Sequence, residues 1–137
     1  MGKKIRSRAF LILLSSLLLA ACSGGSIPSG STSIQATMTE FAFTPNSWTV
    51  PAAQNITLTL TNKSKVQHTW IVMKGLVTPP FSSADQPNVI FSAQVAPGAT
   101  DVVSFPSPSS AGEYEVVCGI PGHLEAGMSG KLTVVQP

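Results

Sequence analysis

The sequence is poor in cysteine, histidine and charged residues. Its 137 residues include two cysteines, two histidines and 10% charged residues. Four of the eight basic residues lie among the first eight positions, so the rest of the chain carries four lysines against six acidic residues, a net formal charge of −2. No basic patch remains, which excludes a nucleic-acid-binding surface. A Cys-x-x-Cys-His attachment site is also absent, which excludes a covalently bound c-type haem.

Long apolar runs are scarce as well. The run at residues 9–21 follows four basic residues and is too short to cross a bilayer as a mature helix. It is typical of a secretory signal peptide, which we predict at residues 1–21. The sequence Leu19-Ala20-Ala21-Cys22 resembles a bacterial lipobox, which implies a lipid on Cys22; an ordinary signal peptide that contains a cysteine is the alternative. We therefore expect an exported protein on the envelope or periplasmic side, anchored to a membrane through Cys22.

Residues 23–33, SGGSIPSGSTS, have too little apolar surface to fold by themselves. Together with Cys22 they indicate a flexible linker at residues 22–33, followed by one folded domain at residues 34–137. Roughly one hundred residues suffice for one core but not for two domains.

No window of the domain has the apolar spacing of a helix, although Ser82 to Asn88 have room for one turn. Residues 55–62, NITLTLTN, alternate apolar and polar side chains, which predicts a strand with one buried face. Shorter strand patterns, separated by Pro and Gly breakers, occur at residues 33–43, 48–50, 68–73, 89–95, 100–105, 113–118 and 131–135. Seven to eight short strands predict an all-β sandwich or a small barrel.

The stretch CGIPGHLEAGM, residues 118–128, places Cys118, His123 and Met128 at five-residue intervals between two predicted strands. Such a loop brings the three side chains towards a common point if it curls, and its glycines permit curling. If Cys22 carries lipid, Cys118 has no partner within the chain. Three explanations stay open for it: burial as a small apolar side chain, an intermolecular disulfide, or metal binding.

A thiolate, an imidazole and a thioether together favour a soft metal ion. These donors exclude magnesium and calcium, and a thioether is a poor ligand for zinc. Copper fits, because two histidines, one cysteine and a weak axial methionine form the blue-copper arrangement. That arrangement requires a second histidine, and His68 is the only other histidine in the chain.

These residues resemble those of the small blue copper proteins of the plastocyanin and azurin family, the cupredoxins. Within the family, the pattern Cys-x-x-Pro-Gly-His-x-x-x-Gly-Met at residues 118–128 is most similar to that of the auracyanins. The resemblance covers residues 34–137 and implies a Greek-key β-sandwich that carries one copper ion. It also implies that His68, Cys118 and His123 are the equatorial ligands and Met128 the axial one. Thr69 departs from the asparagine that many relatives have after the first histidine.

The resemblance further implies a monomeric one-electron carrier, not an enzyme, that shuttles electrons between redox proteins such as membrane cytochrome complexes or c-type cytochromes. We expect it to dock through an apolar patch around the loop histidine, formed by Ile120, Pro121, Leu124, Pro80 and Phe81. The aromatic residues Phe41, Phe43, Trp48, Phe105 and Tyr114 are expected in the core, with Trp70 packed under the metal.

Two other functions are compatible with some of these residues. An envelope copper-binding protein that buffers or delivers copper is the main alternative, although such sites tend to be exposed and rich in methionine or histidine. A cysteine nucleophile activated by His123 is the enzymatic alternative, but it leaves Met128 unexplained and lacks an obvious orienting acid.

Overall fold

The computed structural model describes residues 29–137, together with Gly2. Apart from Gly2, the predicted signal peptide (residues 1–21) lies outside the described residues, as do Cys22 and most of the predicted linker (residues 22–33). In the part of the chain that is described, no helix is long and apolar enough to cross a membrane.

Nine strands and one short 3-10 helix make up the described part of the chain. The strands are β1 (Ser33–Thr39), β2 (Ala42–Thr44), β3 (Ser47–Pro51), β4 (Asn55–Asn62), β5 (His68–Met73), β6 (Val89–Val95), β7 (Thr100–Pro106), β8 (Gly112–Val117) and β9 (Ser129–Val135). The helix spans Ser83–Asn88 and confirms the predicted helical turn. Apart from the first, the predicted strands are confirmed to within one or two residues at each end.

The strands form two sheets, in the orders β2-β1-β4-β7 and β3-β9-β8-β5-β6. Two pairs, β1 with β4 and β3 with β9, are parallel, and the other pairs are antiparallel. Parallel neighbours cannot be joined by a tight hairpin, so the chain must leave each sheet and return to it. The fold is therefore the predicted all-β sandwich, with a cupredoxin-like topology.

The first predicted strand, residues 33–43, is two strands in the structure, so the expected seven to eight strands become nine. Glu40 and Phe41 form the turn between β1 and β2, and Phe41 has a φ of 62°. Positive φ is a genuine outlier for a bulky side chain. The alternating pattern continues across this turn, which is why the sequence does not reveal it.

The core lies between the two sheets. The strand pattern of β4 is confirmed, because its apolar side chains are fully buried (Ile56, Leu58 and Leu60). Each such side chain contributes about 1.5 to 3 kcal/mol when it is removed from water. Trp70 of β5 joins the sheets, since its ring lies 5.4 Å from Trp48 and 5.7 Å from Phe105 between centroids.

The segment between β5 and β6, residues 74–88, folds back against β8. The backbone N–H of Val77 donates to a carboxylate oxygen of Glu115 at 2.6 Å. Around this contact lies a second apolar cluster, formed by Ile71, Met73, Val77, Val117 and Leu124. The long segment is therefore attached to the same end of the sheet as the loop that follows β8.

The strand register brings distant parts of the sequence to this end. β5 and β8 are antiparallel, with Ile71 opposite Val117, so the start of β5 and the end of β8 are adjacent. β9 begins at Ser129, also opposite Val117. The loop of residues 118–128 therefore leaves and re-enters the sheet beside the first residue of β5, which is His68.

Candidate metal centre

Three of the predicted ligands converge at this end of the sheet. His68 Nδ1 lies 3.1 Å from His123 Nδ1, and Cys118 Sγ lies 3.8 Å from His68 Nδ1 and 3.4 Å from His123 Nδ1. All three side chains are buried. The 50 residues that separate His68 from Cys118 are bridged by the pairing of β5 with β8.

The triangle of donor atoms has the size that a metal ion requires. A point in its plane lies about 2.0 Å from all three atoms, close to the metal–nitrogen and metal–sulfur lengths of about 2.0 to 2.3 Å in protein sites. Within the described residues, no carboxylate joins this group. One thiolate and two imidazoles without carboxylates are unsuited to magnesium and calcium and fit copper.

Backbone hydrogen bonds shape the loop between β8 and β9. The N–H of Met128 donates to the carbonyl of His123 at 2.9 Å, and the N–H of Cys118 donates to the carbonyl of Met128 at 3.1 Å. Gly122 and Gly127 have φ values of 85° and 93°, which side chains with a Cβ rarely adopt. The loop is thus curled by its own backbone, and its glycines make that curl possible.

Met128, the predicted axial ligand, is fully buried and belongs to the main core cluster together with Cys118. Its backbone is bonded to both Cys118 and His123, so its Cα is held beside two of the donors. A buried thioether in apolar surroundings suits the weak, long axial position of a copper site.

Thr69 provides the contacts around the thiol. Its backbone N–H points to Cys118 Sγ at 3.5 Å, and its hydroxyl lies 3.8 Å from the same sulfur. The hydroxyl oxygen also accepts a hydrogen bond from the N–H of Gly119 at 2.7 Å. Threonine therefore links the first ligand strand to the ligand loop at the position where many relatives have asparagine.

The environment of His68 keeps its imidazole neutral. Burial lowers the pKa of His68 below the ordinary histidine value, and the nearby His123 lowers it further, whereas Glu40 acts in the opposite direction. A metal ion binds only an unprotonated ring nitrogen. The site therefore presents His68 in the charge state that metal binding needs.

Phe41 lies at the surface beside the loop histidine, so its predicted place in the core is wrong. Its side chain is 49% exposed, and its ring packs edge-on against His123 with centroids 5.3 Å apart and an interplanar angle of 86°. His123 itself keeps 7% of its surface exposed, whereas His68 keeps none. His123 is thus the ligand nearer to solvent, and Phe41 flanks it.

The predicted docking residues are divided by the structure. Leu124 is 6% exposed and fills the second apolar cluster between the sheet and the segment of residues 74–88, so its place in an exposed patch is wrong. Pro80 and Pro121 are exposed, and Ile120 and Phe81 are half-buried. These four residues together with Phe41 are the apolar side chains available around His123.

The two non-metal explanations for Cys118 lose support. Its side chain is free and fully buried, which is incompatible with an intermolecular disulfide. Its distance from His123 would suit a nucleophile and base. However, no acidic group in the described part of the chain joins the cluster to orient the histidine, and the thiol is closed off from solvent.

Comparison with known proteins agrees with this geometry. The family described as cupredoxin-like domain matches residues 9–134. Auracyanin-A of Chloroflexus aurantiacus is 35% identical over 146 aligned residues, which cover 86% of this chain and 89% of the relative. Auracyanin-B of the same organism is 30% identical over 128 aligned residues, which cover 78% of this chain and 53% of that relative.

A solved structure is similar over the whole domain. The dithionite-reduced auracyanin of the photosynthetic bacterium Roseiflexus castenholzii matches with a TM-score of 0.67 at 30% identity, over 78% of this chain and 99% of that chain. The sandwich and the cysteine–histidine site at its end define the class of blue copper proteins, whose members are electron carriers. The chain belongs to the cupredoxin family and is similar to the auracyanins. Its cofactor is copper, as the donor types predict.

Proposed function

We propose that this chain is a one-electron carrier that works outside the cytoplasmic membrane, with one copper ion held by His68, Cys118, His123 and Met128. The observation that carries the proposal is the buried triangle of two imidazole nitrogens and one thiol sulfur. Copper supplies the redox chemistry, alternating between Cu(I) and Cu(II). The protein supplies the ligands and their rigid arrangement.

Rigidity supports the carrier function. Small changes in ligand position between two oxidation states permit fast electron transfer, and a site held by packing and hydrogen bonds limits such changes. Here Cys118 ends one strand and His68 begins its neighbour, while the loop that carries His123 and Met128 is closed by backbone hydrogen bonds. The ligands therefore have little freedom to move when the charge of the site changes.

Burial argues against copper delivery. A site that hands metal to a partner must open a coordination position to it. In this protein Cys118, His68 and Met128 are fully buried, and only His123 has a small exposed fraction. An electron can cross such a barrier, but an ion needs the loop to open.

We infer that electrons leave through His123. It is the ligand nearest to solvent, and an apolar surface surrounds it, formed by Phe41, Pro80, Phe81, Ile120 and Pro121. This surface, the His123 face, lacks Lys, Arg, Asp and Glu among its named residues. An apolar contact of this kind suits brief docking with weak dependence on salt.

Electron self-exchange tests the His123 face without a known partner. The rate is measured from NMR line broadening in mixtures of the Cu(I) and Cu(II) forms. Phe41→Lys places two like charges face to face when two copies dock, so we expect the rate to fall at least about tenfold. Val102→Lys is the matched control, because Val102 is 65% exposed on the other sheet and the change in net charge is the same.

An equal fall in both variants would contradict the assignment of the exit, since it would show an effect of net charge alone. An unchanged rate in Phe41→Lys would contradict it directly. A rate that falls only in Phe41→Lys supports the His123 face.

The partners we propose are redox proteins of the same compartment, such as membrane cytochrome complexes or c-type cytochromes, met by a monomeric carrier held to the membrane by lipid on Cys22. The lipobox-like sequence before Cys22 supports the anchor. The test is fractionation of cells that produce the intact chain. We expect the protein in the membrane fraction and Cys22→Ser in the soluble fraction; a soluble wild-type protein would contradict the anchor.

A further inference from the structure

The second ring nitrogen of His68 faces a buried hydroxyl. Nε2 of His68 lies 2.8 Å from Oγ of Ser64, in the turn between β4 and β5. Ser64 is 5% exposed and His68 is fully buried, so water has little access to this contact. A buried contact between a ring nitrogen and a hydroxyl must have a proton between the two atoms.

The surroundings of Ser64 determine which atom donates that proton. The hydroxyl has one proton and lies 2.9 Å from the carbonyl oxygen of Val66, while the N–H of Val66 points back to the hydroxyl at 3.2 Å. Two oxygens this close repel each other unless a proton lies between them, so the hydroxyl donates to the Val66 carbonyl. It then has to accept from His68, whose Nε2 therefore carries the hydrogen.

Asn62 holds Ser64 in this arrangement. Its side-chain oxygen accepts from the backbone N–H of Ser64 at 2.9 Å, and its amide nitrogen donates to the carbonyls of Val66 and Val95 at 2.8 and 3.1 Å. Asn62 is 1% exposed. Every polar atom of this network has a partner, which is the condition for a buried network to select one geometry.

We propose that Ser64 is a positioning residue for the metal centre, because it accepts the Nε2 hydrogen of His68 and so directs the free electron pair of Nδ1 towards Cys118 and His123. The neutral imidazole has one protonated and one free nitrogen, and partners of the outer nitrogen fix which is which. The serine thus prepares the ligand before metal arrives. The consequence for copper affinity rests on the proposed function, whereas the tautomer itself does not.

The tautomer is measured in the metal-free intact chain by long-range proton–nitrogen NMR of the histidine rings. We expect His68 of the wild type to carry its hydrogen on Nε2 alone. In Ser64→Ala the acceptor is lost, so we expect both tautomers in exchange. Ser64→Thr keeps a hydroxyl at the same position and restores the single tautomer.

Copper(I) affinity is measured on the same proteins by competition with a chromogenic chelator. Loss of a partner to the outer nitrogen of a ligating histidine typically lowers metal affinity about 10- to 100-fold, which we expect for Ser64→Ala. Ser107→Ala is the matched control. Ser107 is also 5% exposed, and its hydroxyl donates to the carbonyl of Pro51 at 2.6 Å and accepts from the N–H of Gln54 at 3.0 Å, away from the site.

Three results would overturn the proposal: a wild-type His68 with its hydrogen on Nδ1, a Ser64→Ala variant with the wild-type tautomer, or an equal loss of affinity in Ser107→Ala. The first is read on the wild type, so it decides the matter even if Ser64→Ala does not fold. A chain that binds no copper would contradict the proposed function, and the NMR result would still decide the role of Ser64.

Discussion

Replacing Thr69 with valine tests how the protein controls the copper–thiolate bond. Valine has the shape of threonine but lacks its hydroxyl. The hydroxyl accepts from the N–H of Gly119 at 2.7 Å and lies 3.8 Å from Cys118 Sγ, while the backbone N–H at 3.5 Å from the sulfur is kept in the variant. The substitution therefore removes one strong and one weak hydrogen bond and leaves the packing almost unchanged.

The two lost bonds have separate consequences. The N–H of Gly119 loses its acceptor, which we expect to lower the free energy of unfolding by about 1 to 2 kcal/mol. The sulfur loses a donor that withdraws its electron density, so the thiolate stabilises Cu(II) more and the reduction potential falls. A weak bond of about 0.5 to 1 kcal/mol corresponds to a fall of roughly 20 to 40 mV for a one-electron couple.

Protein-film voltammetry measures the potential, and urea unfolding of the metal-free protein measures stability. Thr69→Ser is the control, because it keeps the hydroxyl and removes only a methyl group. A valine variant with an unchanged or raised potential would refute the role of the hydroxyl at the sulfur. An equal fall in the serine variant would assign the effect to the methyl group instead.

Three further predictions concern stability. Gly130→Ala should lower the free energy of unfolding by about 1 to 3 kcal/mol, because a Cβ there would lie 2.6 Å from the carbonyl oxygen of Asn46; Gly75→Ala, with open space around it, should be neutral in the same urea titration. Removal of copper should lower the melting temperature in calorimetry by about 10 to 20 °C, since ligand at 100 times its Kd adds about 2.7 kcal/mol; an unchanged temperature would mean no tight binding. The lowered pKa of buried His68 means that unfolding takes up a proton, so the metal-free protein should lose stability as the pH falls below the ordinary histidine pKa of 6.5, and His68→Gln should reduce this loss in urea titrations at pH 7.5 and about 5.

The ligand cluster was predictable from residue types because few alternatives existed. The chain has two histidines, and one cysteine outside the predicted export signal, so a copper site with this donor set can use only His68, His123 and Cys118. The strands were predictable where one face is buried, as in β4. Both predictions depend on local pattern or on exclusion, and neither needs knowledge of how the sheets are ordered.

The predictions failed where three-dimensional contacts override local pattern. Phe41 continues an alternating strand pattern, yet it occupies a turn with positive φ and lies against His123. Leu124 stands next to that histidine in the sequence, yet it is buried because the segment of residues 74–88 folds over it. Ser64 carries no signal at all in the sequence, since its partner His68 is reached only through the turn between β4 and β5.

The geometry also explains why so short a chain can hold a rigid site. Cys118 and Met128 lie at the two ends of one loop and are joined by a backbone hydrogen bond, and the strands on either side are paired. Only His68 comes from elsewhere, and the neighbouring Thr69 connects it to the loop. A single strand start and a single loop are therefore sufficient for all four ligands.

The most direct test of the account is the visible spectrum of residues 23–137 loaded with Cu(II) and titrated with ascorbate. The account predicts an intense blue or green colour from the copper–thiolate bond, which is bleached reversibly on reduction and lost in Cys118→Ser. A colourless protein that still binds copper tightly would contradict the electron-carrier function and favour copper storage or delivery.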